Sequence, residues 1–214
     1  MSRRIAIVGN GSIPEGVAGA IDAADLVIRF NDCRSAGRGG RKTDVVAVCN
    51  TGRPALGMLG GGRWKTSEPV RQAGEFLCVR ASESFAAMRA PLAMSHPDLD
   101  DFCDDYTIGF ETFARATGRR LSVVPAATHQ ALDAALSAFD PSPYVVPSSG
   151  LIVIAYVLDA IAGAGDRVAI AGFGHEGWEW HPFAAERRWT DGQIAAGRLE
   201  RLDHQNTTPA SRGT

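Results

Sequence analysis

The sequence predicts an α/β fold: a Rossmann-like, doubly wound, mostly parallel sheet. Two observations predict it. Short apolar runs recur at Arg4–Val8, Asp25–Phe30, Asp44–Cys49, Phe76–Val79, Leu121–Val124 and Arg167–Ala171, and they alternate with segments of helical character. The main runs are continuously apolar, as parallel strands covered on both faces should be.

Taken in order, Arg4–Val8 ends at Gly9-Asn10-Gly11, a tight turn. Pro14-Glu15 opens a predicted helix of small residues over 15–23, with proline near its first turn. Residues 37–40 and 57–62 read as glycine-rich loops. A helix is predicted over 68–74, and Ser82 caps another reaching Ala90. Residues 95–105 read as an acidic loop. Helices are expected over 107–117, stopping at Gly118, and over 128–138. Residues 141–147 read as a loop, after which Ser148 caps a long apolar helix reaching about Ala162. Residues 182–202 close the chain with one or two helices, weakened by Gly192 and Gly197. One domain is expected over 1–202, with a polar, disordered tail over 203–214.

Hydrophobic residues make up 45% of the 214, enough to bury the core of one domain. With 22 Lys and Arg against 24 Asp and Glu, the formal net charge is −2, so there is no electrostatic basis for nucleic-acid binding. The arginine-rich stretches 34–41 and 115–120 read as solvated loops and helix ends, or as a contact to phosphate. Cys33, Cys49, Cys78 and Cys103 form no CxxC pair and are not spaced with histidines as zinc ligands. They read as reduced thiols and suggest the cytoplasm. The N-terminal MSRRIAIVGNG runs straight into a strand, without the apolar stretch of a signal peptide. The longest apolar run, 151–164, is interrupted by Asp159 and too short to span a bilayer. No transmembrane segment is expected, and peripheral contact with a membrane stays open.

Ligands of doubly wound sheets sit at the carboxyl ends of the strands. Four polar features fall at strand ends or helix starts here: Gly9-Asn10-Gly11-Ser12, Arg29-Phe30-Asn31, Pro147-Ser148-Ser149-Gly150 and Gly172-Phe173-Gly174-His175. The first can turn backbone N–H groups toward an anion near a helix N-terminus, or be an ordinary strand-to-helix turn. Pro14 stands where GxGxxG has its third glycine, yet Asp32 lies about twenty residues on, where dinucleotide folds place a ribose-binding acid. An NAD-binding oxidoreductase is thus one alternative. Asn10 and Asn31 carry amides suited to phosphate or ribose, and equally to turns. Ser148, Ser149 and Gly150 offer hydroxyls and free N–H groups at a helix start, or a simple N-cap. His175 and His181, with Glu186 after them in HEGWEWHPFAAE, form a candidate acid–base site in which Glu186 orients His181. The alternative is a surface helix with Glu186 paired to an arginine. Asp98-Leu99-Asp100-Asp101 matches a metal-binding DxD only superficially, so neither an essential metal nor a cofactor is expected.

Together these segments resemble glycosyltransferase family 29, the sialyltransferases. IAIVGNGSIPEGVAGAIDAADLVIRFNDCRSAGRGGRKTD resembles the family's long sialylmotif, and PSSGLIVIAYVLDAIAGAGDRVAIAGFG its short one. His175 takes the place of the third motif, and His181-Pro-Phe-Ala-Ala-Glu186 fits the very short HxxxxE pattern. The blocks stand in the family's order, while residues 52–144 match in topology only. Among small bacterial members, the chain is similar to proteins labelled urease operon accessory proteins, a label that names a gene neighbourhood.

The resemblance implies a GT-A variant fold of sialyltransferase type and a CMP-sugar donor carrying sialic acid or Kdo. It implies inverting transfer to a hydroxyl of a glycan or glycolipid acceptor, without a required metal. Asn10 and Asn31 would contact the phosphate and ribose of the donor, within the turn Gly9-Asn10-Gly11-Ser12. Ser148, Ser149 and Gly150 would hold the nucleotide, His175 would contact the donor phosphate, His181 would deprotonate the acceptor, and Glu186 would support the site. The chain departs from the animal enzymes in three ways. Ile5 stands in place of the long-motif cysteine, the membrane anchor and stem are missing, and the stretch from His175 to His181 is short, implying a small lid. A non-catalytic, nucleotide-binding accessory protein of urease-operon type is therefore the other alternative.

Overall fold

The computed structural model describes residues 2 to 203. The apolar runs become β1 (Arg4–Val8), β2 (Leu26–Phe30), β3 (Val45–Val48), β4 (Glu75–Cys78), β5 (Arg120–Val123) and β6 (Arg167–Ala171). A short β7 (Glu200–Arg201) completes a parallel sheet of order β5-β4-β3-β2-β1-β6-β7. The helices are α1 (Ala18–Asp22), α2 (Gly52–Gly60), α3 (Arg63–Thr66), α4 (Glu68–Gln72), α5 (Ser82–Ser95), α6 (Thr107–Ala116), α7 (Ala126–Ser137), α8 (Ser149–Tyr156) and α9 (Phe183–Ala195). The chain winds outward from β1 to β5, then returns to lay β6 on the other side of β1. The direction of winding reverses between β1 and β6, and that reversal opens a crevice at the carboxyl ends of the strands.

Side chains alternate along a strand, so each strand serves two layers. Ile5, Ile7, Ile28 and Phe30 pack with Leu132 and Leu136 of α7, Leu151 and Ile154 of α8 and Ala185 of α9. Ala6, Val8 and Val27 meet Ile21 of α1, while Val46, Val48, Phe76 and Cys78 meet Ala55, Met58, Trp64 and Phe110. Helices cover both faces, which is why most strands lack a polar alternation. The four cysteines are free and buried. Among the described residues no helix is long and apolar enough to cross a membrane.

Several boundaries differ from the sequence expectation, each for a local reason. The helix expected from residue 15 begins at Ala18, because Gly16 holds φ at +80°, a left-handed turn outside helical space. A helix, α2, replaces part of the glycine-rich loop, since burying Ala55 and Met58 outweighs the modest helix penalty of Gly57 and Gly60. Helix α5 runs past Pro91, whose missing N–H costs one bond while Leu92 stays buried. A π-helical turn at Val157–Ile161 continues α8 to the expected length. The last predicted helix stops early: Gly197 has φ +69°, and the Arg198 N–H donates to the Gln193 carbonyl at 3.0 Å in a Schellman-type cap. The chain is then released to form β7 against β6. The expected tail over 203–214 lies outside the described residues, apart from Asp203.

Candidate functional site

The site is built where the turns after β1 and β6 cross. The Gly9 N–H donates to the Ala171 carbonyl at 2.8 Å, and the Gly11 N–H donates to the Gly172 carbonyl at 3.0 Å. The two backbones lie so close that a Cβ on Gly9 would overlap the Gly172 oxygen, and one on Gly11 would stand 2.8 Å from it. Gly172 is itself in the left-handed region, φ +75°. These glycines let the strand ends meet. Because the Gly11 amide is spent in that junction, the turn is not the open amide cradle of a phosphate loop.

A cavity of about 460 Å³ opens above this crossing, lined by the ends of β1, β2 and β6 and by the start of α8. Gly9, Asn10, Gly11, Asn31, Ser148, Ser149, Gly150, His175, His181 and Glu186 all line it. Ser12 does not; it points to solvent, because the chain turns away before α1. Asp32 does not line it either: its carboxylate accepts from the Asn10 amide at 3.3 Å and pairs with Arg34 at 3.3 Å.

The two asparagines have different duties. Asn10 donates to the Phe30 carbonyl and accepts from the Arg34 N–H, pinning the turn after β1 to the turn after β2. Asn31, at φ +49°, accepts the Cys49 N–H through Oδ1 at 2.8 Å, which orients its Nδ2 as the group left without a partner among the described residues. Arg34 stands at the rim as the cavity's arginine. At the head of α8, Ser148 accepts the Leu151 N–H as N-cap, leaving the amides of Ser149 and Gly150 at the positive end of the helix. Gly150 admits Phe173 there: a Cβ would stand 2.6 Å from that ring.

Glu186 does not orient His181. Its carboxylate is 1% exposed and accepts both the N–H of Ser148, at 2.6 Å, and its hydroxyl, at 2.7 Å. Burial raises its pKa, opposed by those two bonds from Ser148. Glu186 thus ties α9 to the start of α8. His181 is instead held by the Val146 carbonyl, 2.7 Å from Nδ1. A carbonyl only accepts, so Nδ1 carries the proton and Nε2 presents a lone pair without a partner among the described residues. Burial pushes His181 down to about 4, with Arg80 adding to the effect and the Val146 bond opposing it. His175, at φ +50°, is also lowered to about 4, first by burial and then by Arg201 and Arg187. Both rings are neutral at pH 7.

A second cavity of about 320 Å³ adjoins the first, sharing Asn31, Ser149, Trp178 and His181. Arg80 and Thr51 lie in its wall, and the sequence reading passed over both. A signal existed: Asn50-Thr51 follows β3 and Arg80 follows β4 just as Asn10 and Asn31 follow their strands. Asp101, in the DxD-like stretch, is paired with Arg53 at 2.7 Å. Among the described residues no three His, Cys, Asp or Glu side chains come together as a metal-holding group.

Fold and site together define a doubly wound α/β protein with its cleft at the switch point, the fold of a sialyltransferase. The crystal structure of a mammalian sialyltransferase matches with a TM-score of 0.54 at 18% identity, covering 94% of this chain and 69% of that one. No family model matches the sequence. The chain belongs to the family of the urease operon 23 kDa accessory protein of Rhizobium meliloti (strain 1021), to which it is 68% identical over 200 residues, 94% of this chain and 93% of that protein.

Proposed function

We propose that the cleft is a sugar-nucleotide site, and that the chain is an accessory protein of urease-operon type whose ligand is a CMP-linked acidic sugar. The observation that carries the binding claim is the set of donors lining one cavity: the α8 amides of Ser149 and Gly150 and the Asn31 amide, with Arg34, paired to Asp32, at the rim. Phosphate oxygens need such donors, and a helix N-terminus adds favourable potential. In this reading Gly9 and Gly11 form the floor, and Asn10 and Glu186 are positioning residues that hold the turns and Ser148. His175 lies on the phosphate side. The 68% relative favours the accessory role.

The His181 geometry favours a second reading, inverting transfer to an acceptor hydroxyl. The acceptor oxygen bonds to the anomeric carbon as the bond to the CMP phosphate breaks, and its proton passes to His181 Nε2. A neutral imidazole with its lone pair on the cavity wall suits that step, and a phosphate leaves without a strong acid.

A thermal-shift panel of CMP, UDP, GDP and NAD tests the binding claim. CMP at a hundredfold over its dissociation constant should add about 2.7 kcal/mol. Equal or greater stabilisation by NAD would overturn the CMP reading in favour of the dinucleotide alternative. Release of CMP from CMP-sialic acid or CMP-Kdo in the presence of glycans separates transfer from binding alone.

A further inference from the structure

Two buried arginines sit at strand ends in this fold, and they differ in one respect. Arg29, on β2, is 0% exposed and donates to Ser35, Gly39, Gly40, Lys42 and Thr43, which ties the 35–43 loop to the sheet. Arg80, just after β4, is 2% exposed, and its Nε and Nη1 are fully buried without an acceptor. Nη2 makes no hydrogen bond within the described residues either. The Thr51 hydroxyl, of a residue in the same cavity wall, is likewise buried and unpartnered. Buried donors in native proteins find acceptors, and a buried cation without one is strongly unfavourable.

The Arg80 position is fixed by other means. Asn50 accepts the Arg80 N–H at 2.8 Å and donates to its carbonyl at 3.0 Å. The guanidinium lies over the Phe85 ring at 4.8 Å and the Phe102 ring at 5.6 Å. The rings stabilise the face of the cation and leave its N–H edge unsatisfied. The carboxylate in the cavity lining, Asp101, is engaged by Arg53. Thr51 also stands at the N-cap position of α2 and makes no side-chain cap bond there, so its hydroxyl is not spent on the helix. The Arg80 field reaches the cleft: it adds to burial in lowering His181.

We propose that Arg80 and Thr51 form a subsite for the carboxylate of an acidic saccharide, placed across His181 from the glycine turns. Trp178 stacked on Phe102, at 5.4 Å and 24°, supplies an aromatic flank for the sugar. The identity of the ligand as a sugar rests on the sugar-nucleotide reading; the demand for an anion rests on Arg80 alone. The carboxylate belongs either to the CMP-linked sugar, reaching past His181, or to a separate saccharide.

Calorimetry and thermal shift on the full chain test this with CMP, CMP-N-acetylneuraminate, D-glucuronate and D-glucose, using the unaltered protein, Arg80→Met and Thr51→Val. D-glucuronate should bind more tightly than D-glucose, or CMP-N-acetylneuraminate more tightly than CMP. Arg80→Met should cut that advantage by about tenfold or more, and Thr51→Val by a few fold. CMP affinity should stay within a few fold in both. Without ligand, Arg80→Met should melt no lower than the unaltered protein, because an uncompensated charge has been removed; an arginine with a purely structural role would lower it. D-glucuronate binding beside saturating CMP assigns the subsite to a separate saccharide. A gain confined to CMP-N-acetylneuraminate assigns it to the donor. If CMP fails to bind while D-glucuronate binding still depends on Arg80, the sugar-nucleotide reading falls and the subsite stands. If neither variant changes any carboxylate advantage, or neither D-glucuronate over D-glucose nor CMP-N-acetylneuraminate over CMP shows one, the proposal is overturned. Should Arg80→Met fail to fold, Thr51→Val decides.

Discussion

Replacing His181 with asparagine isolates what the half-buried imidazole does. Asparagine keeps an N–H donor for the Val146 carbonyl, now 2.7 Å from Nδ1, and removes the titrating Nε2. The folded ring is pushed from 6.5 to about 4, chiefly by burial, so the unfolded chain takes up the proton first as pH falls. Between these values the unfolded state binds more protons, and stability rises with pH. The His181 contribution is therefore complete above pH 6.5 and lost as pH falls toward 4. The gap corresponds to about 3 kcal/mol, and to roughly 2 once the exposed edge of the ring is discounted for solvent screening. At neutral pH His181→Asn should cost about 1 kcal/mol through lost ring contacts with Trp178 and Phe183. Toward pH 4.5 the variant should become the more stable of the two. His175 titrates with the same sign in both proteins and cancels in the difference. Urea unfolding at pH 7.5, 6.5, 5.5 and 4.5 measures that difference directly. Parallel curves across the range would refute the neutral, half-buried ring, and with it the free Nε2 on which transfer depends.

Three further outcomes follow from the site. Gly9→Ala drives a Cβ into the Gly172 carbonyl and should cost about 1–3 kcal/mol in urea unfolding; no loss would mean that the crossing of β1 and β6 is slack. Glu186→Ala removes a buried carboxylate, leaves the half-buried Ser148 amide without its acceptor and should cost about 2–4 kcal/mol, with weaker CMP binding by calorimetry as the α8 N-terminus loosens; unchanged stability would show that water replaces the carboxylate. Since no metal-holding group comes together among the described residues, EDTA should leave both the melting temperature and CMP affinity unchanged, and a loss restored by manganese would contradict this.

The sequence by itself determined six of the sheet's seven strands, while β7 fell within a predicted helix. Its apolar runs are short, mostly free of polar alternation and separated by helical segments, as a parallel sheet covered on both faces requires. It also marked the strand ends Gly9, Asn31 and Gly172 and the cap Ser148, because turn and cap chemistry is local in the chain. Helix ends set by glycines at positive φ were legible only as residue types, since the sequence reveals neither φ at Gly16 nor that at Gly197. What only the tertiary structure decided is how the polar groups pair. Glu186 lies five residues from His181 yet bonds to Ser148, 38 positions away, and His181 bonds to Val146, 35 positions away. Arg29 and Arg80 look alike as residues after or within an apolar run, but one finds its acceptors in the 35–43 loop and the other finds none. Hydrogen bonds are satisfied in space, among groups that packing brings together, and sequence separation does not rank those partners. The site's chemistry therefore depended on the crossing of β1 and β6, which no single segment of the chain encodes.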